Sequence, residues 1–306
     1  MNSHFFGSFF WVDIFLPIFF LHMMTSSANG SMAVYGAVGR GTAGCRRWRP
    51  CTRAFACDNS FLKDVTYWDA FYKKKKLQGG GGNPCFDWFE ASDDDVHAHL
   101  AALLAHVLGA RVLHLGCGTS SWCERLEGGF GPTARHPARV VHLDASLEAV
   151  RAVASRLPAA ARAGRVLCAD ARELPFDAGS FDLVVDKGAL DVFLACGDGA
   201  SAAAMVAEVA RVLRPPTSAA AGAPRSARGP ISYAISPWSE GGVYAMVSND
   251  PPELRAQGFE AAAAEATSGG QPLPTGVRWA LRSRDVSTPG AQYEAFLHTA
   301  TLKHVT

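Results

Sequence analysis

Hydrophobic and polar positions change rhythm several times between residues 93 and 303, and each change marks an element. Asp93, Asp94 and Asp95 precede apolar Val96, Leu100, Leu103, Leu104 and Val107, the stripe of a capped amphipathic helix that Gly109 ends. An apolar run at 111–115 predicts a first strand, and a helix follows through Trp122 and Leu126. A second strand is expected at 139–143, ending at Asp144, and a helix at 147–157, stopped by Pro158. A third strand at 165–168 ends at Asp170, and a fourth at 181–185 ends at Asp186. An Ala-rich helix at 201–213 is stopped by Pro215 and Pro216, and a fifth strand is expected at 231–235. Residues 277–286 and 293–303 read as two closing strands joined by a Thr-Pro-Gly turn. Strands alternating with helices predict an α/β fold: a doubly wound, mostly parallel seven-stranded sheet ending in an antiparallel hairpin.

The flanks read differently. Residues 5–24 are Phe-rich and nearly as long as the ~20 apolar residues a membrane span needs, but Asp13 and Pro17 interrupt them, which argues against membrane contact. Met32 is an alternative start, and Arg40, Arg46, Arg47, Arg49 and Arg53 follow it with no acidic residue through Ala56. That composition suits an organelle transit peptide or a basic disordered tail. Residues 1–60 are therefore expected to be a targeting, anchor or disordered extension, and 61–306 the working domain. Residues 215–230, rich in Ala, Pro, Ser and Arg, read as a low-complexity insert in that domain. Between flank and core lies an aromatic block, Tyr67-Trp68-Asp69-Ala70-Phe71-Tyr72 and Phe86-Asp87-Trp88-Phe89, expected to pack over a ligand or complete the core. Lys73 to Lys76 read as a solvated face, and the Y-x-x-x-K pair of Tyr72 and Lys76 as an accident of that tract.

Bulk chemistry narrows the classes. A net charge of +1 over 306 residues excludes a nucleic-acid electrostatic footprint. The eight cysteines form no C-x-x-C pair. Cys45, Cys51 and Cys57 are too far apart for a zinc knuckle, and His97, His99 and His106 have no carboxylate or cysteine at ligand spacing, so no metal is expected. Reduced thiols fit an intracellular location.

The chemistry concentrates after the first strand. In Gly116-Cys117-Gly118-Thr119-Ser120 the two glycines permit a tight strand-to-helix turn that a ligand can approach closely. Asp144, Asp170 and Asp186 each end an expected strand, so the fold would bring them to the same sheet edge as that turn. A carboxylate at Asp144 suits two ribose hydroxyls, Asp170 suits an adenine amino group, and the Ala171 N–H suits a ring nitrogen. Ser121 stands where a dinucleotide fingerprint has its third glycine, which disfavours a dehydrogenase. The ordered set points to S-adenosyl-L-methionine.

These motifs, with Asp144-Ala145-Ser146, Asp170-Ala171-Arg172-Glu173-Leu174-Pro175-Phe176 and Asp186-Lys187-Gly188-Ala189-Leu190-Asp191, resemble those of the class I S-adenosylmethionine-dependent methyltransferases. The last motif resembles in particular the enzymes that modify lysines of translation elongation factor 1 alpha and mitochondrial citrate synthase. The resemblance spans 61–303 and implies a Rossmann-like sheet and a protein substrate carrying the target lysine, an elongation factor or a metabolic enzyme. It implies cofactor contacts from Gly116, Cys117, Gly118, Thr119, Ser120, Asp144, Ala145, Asp170, Ala171, Asp186, Trp68 and Trp88. Asp186, and secondarily Asp191, would orient or deprotonate the amine, while Lys187 would pair with a carboxylate. The implied location is cytoplasmic or mitochondrial. A transferase acting on small molecules or polyamines and a non-catalytic cofactor-binding module are the alternatives. Two departures stand out: His114 occupies a position that is often acidic, and the 215–230 insert replaces a short turn.

Overall fold

The computed structural model describes residues 59–78, 85–89, 91–105, 107, 109–129, 138–216, 241–268, 273, 277–291 and 293–304. Their frame is one seven-stranded sheet: β1 (Arg111–Leu115), β2 (Arg139–Asp144), β3 (Val166–Cys168), β4 (Leu183–Lys187), β5 (Val243–Ser248), β6 (Val277–Asp285) and β7 (Phe296–His304). The spatial order is β3-β2-β1-β4-β5-β7-β6. The first five strands run parallel, and β7 is antiparallel to both β5 and β6. From β1 the chain steps outward through β2 to β3 and then crosses back to β4 on the other side of β1, so β1 and β4 flank the switch point where such folds bind ligands.

Eight helices accompany it among the described residues: α1 (Val65–Gln78), α2 (Asp93–Leu104), α3 (Trp122–Glu127), α4 (Leu147–Arg156), α5 (Pro158–Arg162), α6 (Ala189–Ala195), α7 (Gly199–Val212) and α8 (Pro252–Ser268). The strand period of two divides the core. Val112, Val140, Leu183 and Val185 pack under α2 and α3. Their sequence neighbours Leu113, Val184 and Tyr244 pack on the other face against α7 and α8. Every residue of β4 and β5 is buried, as central strands covered on both faces require. Caps fix three helix starts. The Ser92 hydroxyl accepts from the Asp95 N–H ahead of α2, Ser146 does the same for Ala149 of α4, and Asp198 for Ser201 of α7.

The expected elements need four corrections. The fifth strand is Val243–Ser248; the stretch anticipated at 231–235 lies outside the described residues, as do 1–58 and 217–240. Strand β4 runs two residues further than expected, so Asp186 sits inside it rather than at its tip. The cap of α2 is Ser92, with the three aspartates in the first turn beside the helix's positive end. Helices α1 and α8 were not anticipated. In α8 only Arg255, Phe259 and Ala262 are buried, too narrow a stripe to give a periodic signal. Among the described residues no helix is long and apolar enough to cross a membrane; residues 5–24 lie outside them.

Candidate active site

Strands β1, β2 and β4 end beside one another, and a cavity of about 530 Å³ opens at their carboxyl edge. That volume suits a cofactor-sized ligand. Gly116, Asp144, Ala145, Asp170 and Ala171 line one part of it, Trp68, Tyr72, Trp88 and Phe89 another, and Lys187, Gly188, Asp191 and Phe193 a third.

The glycine turn is tight on both sides. Gly116 and Gly118 have φ of +61° and +50°, and a Cβ on either would come within 2.6 Å of Ala189 Cβ or the Tyr72 hydroxyl respectively. The turn is pinned to β2, because the Cys117 N–H donates to the Leu143 carbonyl at 3.0 Å and the Gly118 N–H to Asp144 Oδ2 at 2.7 Å. Asp144 Oδ1 accepts from the Ser146 N–H at 2.8 Å. Burial pushes this carboxyl up to about 6, against the two N–H groups that favour its charge. Each carboxylate oxygen has a second lone pair, so two ribose hydroxyls could still donate to it. The sequence places Cys117, Gly118, Thr119 and Ser120 at the cofactor, but of this turn only Gly116 lines the cavity. The chain turns away after Gly118. Arg156 holds the Thr119 and Ser120 carbonyls at 3.1 and 2.9 Å, and the Ser120 hydroxyl donates to Asp87.

Asp87 is a site residue that sequence reasoning missed. It joins the glycine turn to β4, accepting from Ser120, from the Ser121 hydroxyl at 2.9 Å and from Lys187 Nζ at 2.8 Å. Burial pushes its carboxyl up, but the Lys187 charge and hydrogen bond, with both serines, outweigh that and hold it down to about 2. Lys187 also lies 4.8 Å from the Trp122 ring centroid and 3.8 Å from Asp93. Its charge is therefore neutralised beside the cavity. Tyr72, the other missed residue, follows Trp68 by one helical turn on α1, which puts both on one face. Trp68 and Trp88 meet edge to face at 5.4 Å, and Phe71 stacks on Trp88 at 5.6 Å. The aromatic block thus both fills a satellite core and walls the cavity.

The remaining acids divide. Asp170 lines the cavity with both oxygens on Arg172, at 2.6–3.1 Å, and that hydrogen bond lowers its carboxyl. Asp186 does not line it. It is fully buried behind the wall, with Oδ1 accepting from the Ala189 N–H at 2.8 Å and Oδ2 from the Tyr244 hydroxyl. Burial, then the Asp191 charge, pushes it up to about 6. Asp191 does reach the cavity; its Oδ1 accepts from Ser248 and from buried Arg255, each at 2.6 Å. Asp182 accepts from the Arg111 N–H at 2.9 Å and Arg214 Nε at 3.1 Å. His97 and His99 belong to no ligand cluster among the described residues, and His106 lies outside them.

The donor set fits an adenosyl cofactor: a buried two-oxygen carboxylate at the end of β2, a side-chain-free turn beside it and an aromatic wall. The sequence agrees with known proteins. Residues 113–219 match the methyltransferase domain family model. The chain is 35% identical over 173 residues to the human mitochondrial citrate synthase-lysine N-methyltransferase, covering 51% of this chain and 68% of that one. It is 35% identical over 140 residues to mouse EEF1A lysine methyltransferase 4, covering 45% and 48%. Among solved structures, magnesium protoporphyrin IX methyltransferase of Synechocystis PCC 6803 with bound SAM is 14% identical, with a TM-score of 0.41 over 81% of this chain and 99% of that one. Kinship and geometry agree: this chain belongs to the S-adenosylmethionine-dependent methyltransferases, and S-adenosylmethionine is its methyl donor.

Proposed function

We propose that this protein methylates the side-chain amine of a lysine in a protein substrate. The observation that carries it is that one cavity is lined both by the Asp191 carboxylate and by the aromatic rings of Trp88, Phe89 and Phe193. When bound, the cofactor supplies a methyl activated by a positively charged sulfur. The chain's own work is placement and dehydration. Asp144 holds the ribose, the Gly116 backbone gives close approach, and the aromatic wall excludes water. A lysine ammonium, with an ordinary pKa near ~10.4, must lose a proton before attack, and an apolar channel favours that loss. Asp191 is placed to orient the amine. Asp186 acts one layer back: it takes the Ala189 N–H and so sets the turn at Gly188, where φ is +90°. The kinship with lysine methyltransferases of citrate synthase and eEF1A supports a protein partner.

The test is incubation with methyl-labelled cofactor and either a protein extract or its small-metabolite fraction. Label on protein lysines, lost in Asp191→Asn, is expected; label confined to small metabolites would overturn the reading. The acid-free, Arg-bearing stretch at 32–56 and the mitochondrial relative together support a mitochondrial destination. A fluorescent fusion of residues 1–60 that stays in the cytosol would refute it.

A further inference from the structure

A second cluster lies behind the glycine turn, outside the cavity. The parallel register sets His114 of β1 beside His142 of β2, and the period of two turns both rings to the face under α3. Cys123 of α3 comes down onto them, and Cys117 of the turn hydrogen-bonds Cys123. All four side chains are sealed from solvent: His114, His142 and Cys123 are 0% exposed and Cys117 1%.

We propose that this cluster is a structural zinc site, with His114 Nδ1, His142 Nδ1 and Cys123 Sγ as the protein ligands. The two Nδ1 atoms are 3.2 Å apart and Cys123 Sγ is 3.8 Å from His114 Nδ1. Zinc–nitrogen and zinc–sulfur bonds of about 2.05 and 2.3 Å give a tetrahedron with edges of roughly 3.3 Å between nitrogens and roughly 3.6 Å between nitrogen and sulfur. The ligand atoms of His114, Cys123 and His142 all lie within 4.8 Å of one another. Hydrogen bonding alone makes His114 Nδ1 serve both His142 Nδ1 and Cys123 Sγ, whereas one cation satisfies all three groups.

Two observations outside the ligand set agree. His142 Nε2 lies 3.5 Å from Glu127 Oε1, and Glu127 is in turn held by Arg165. That contact is longer than a formed hydrogen bond, and a metal on Nδ1 would draw the ring into the carboxylate–histidine pairing that fixes metal-bound rings. His114 Nε2 is buried without a hydrogen-bond partner, so no bond on that side commits its Nδ1 to remain a donor. Mixed nitrogen and thiolate ligands select zinc over magnesium or calcium, and Val153, Leu157 and Val166 keep the surroundings dry. The ion would tie β1, β2 and α3 at one point.

The full chain, purified from zinc-supplemented cells, should carry about one zinc per molecule by elemental analysis. Refolded with cobalt(II) instead, it should show the sulfur-to-cobalt charge-transfer absorption of a thiolate site, absent in Cys123→Ser. Cys85→Ser and Cys168→Ser, both at exposed thiols, should retain the metal. Should the Cys123 variant not fold, wild-type stoichiometry and absorption decide alone. Zinc below about a tenth of an equivalent with no cobalt–thiolate band, metal lost only with the exposed thiols, or a Cys117–Cys123 disulfide in the native chain would each overturn the proposal.

Discussion

Asp144 does two jobs with one carboxylate. It receives the turn's Gly118 N–H and the Ser146 N–H, and it faces the cavity. Asp144→Ala is expected to weaken cofactor affinity on the order of 100-fold, since it removes charge-assisted bonds. It should also cost roughly 1–3 kcal/mol of stability, because two buried N–H groups lose their acceptor. Calorimetry reads the first effect and urea unfolding the second; unchanged affinity would remove Asp144 from the ribose. Gly118 and Tyr72 form a coupled pair. Gly118→Ala places a Cβ 2.6 Å from the Tyr72 hydroxyl, and Tyr72→Phe removes that atom while leaving the ring carbon at 3.4 Å. Cofactor affinity and stability of the double variant should exceed the sum of the single losses. Strict additivity would show that φ strain alone governs the site. The position of Asp144 was legible because it ends an apolar strand after a glycine turn. The direction of Ser120 was not, because Asp87, far upstream in the chain, decides it.

Between elements, charges do the fastening. Arg255 of α8 is fully buried and bridges Asp191 of α6 at 2.6 Å and Asp250 after β5 at 2.7 Å. Arg255→Met is expected to cost about 3 kcal/mol, because it strands the buried Asp250 carboxylate and leaves half-buried Asp191 without its cation. Arg255→Lys should restore only part of the loss, since the shorter lysine does not carry its ammonium out to where Nη2 of Arg255 meets both acids. Denaturant midpoints of the three proteins check this. Lys187 and Asp87 tie the segment at 85–89 to β4. Lys187→Met should raise hydrogen exchange across 85–89 and weaken cofactor binding while leaving exchange in β6 and β7 unchanged; an unaltered 85–89 segment would contradict the tether. The sequence anticipated a carboxylate for Lys187 but could not name it, since ion pairs between distant segments leave no periodic trace. Helix α8 was illegible for a related reason: its main buried anchor is an arginine, which reads as surface.

Across the whole molecule, one buried imidazole works against two buried carboxyls in mild acid: Asp144 and Asp186, both pushed up to about 6, favour the fold as pH falls, whereas His298 opposes it. His298 of β7 is sealed under the antiparallel hairpin and bonded to Ser283 of β6 at 2.8 Å. Burial, then the Arg255 charge, pushes it from an ordinary 6.5 down to about 4. As pH falls below 6.5 the unfolded chain takes up a proton that the folded chain refuses until about 4. Its contribution to stability therefore falls across that window, by up to about 3 kcal/mol, and is complete above it. On passing from neutral to mildly acid pH, the urea midpoint of His298→Gln should rise relative to that of the wild type, because the opposing imidazole is gone while Asp144 and Asp186 remain. Equal acid sensitivity in the two would refute the assignment.

Local chemistry written along the chain settled the element types, the two-glycine turn, the carboxylates at the strand ends and the closing hairpin, because periodicity, steric freedom and charge act over a few residues. Folding in three dimensions settled the rest: that Asp186 is walled off while Asp191 reaches the cavity, that Asp87 clasps the turn to β4, and that His114, His142 and Cys123 converge. Those outcomes depend on which strand lies beside which and in what register. A one-residue shift in pairing would send every such side chain to the opposite face.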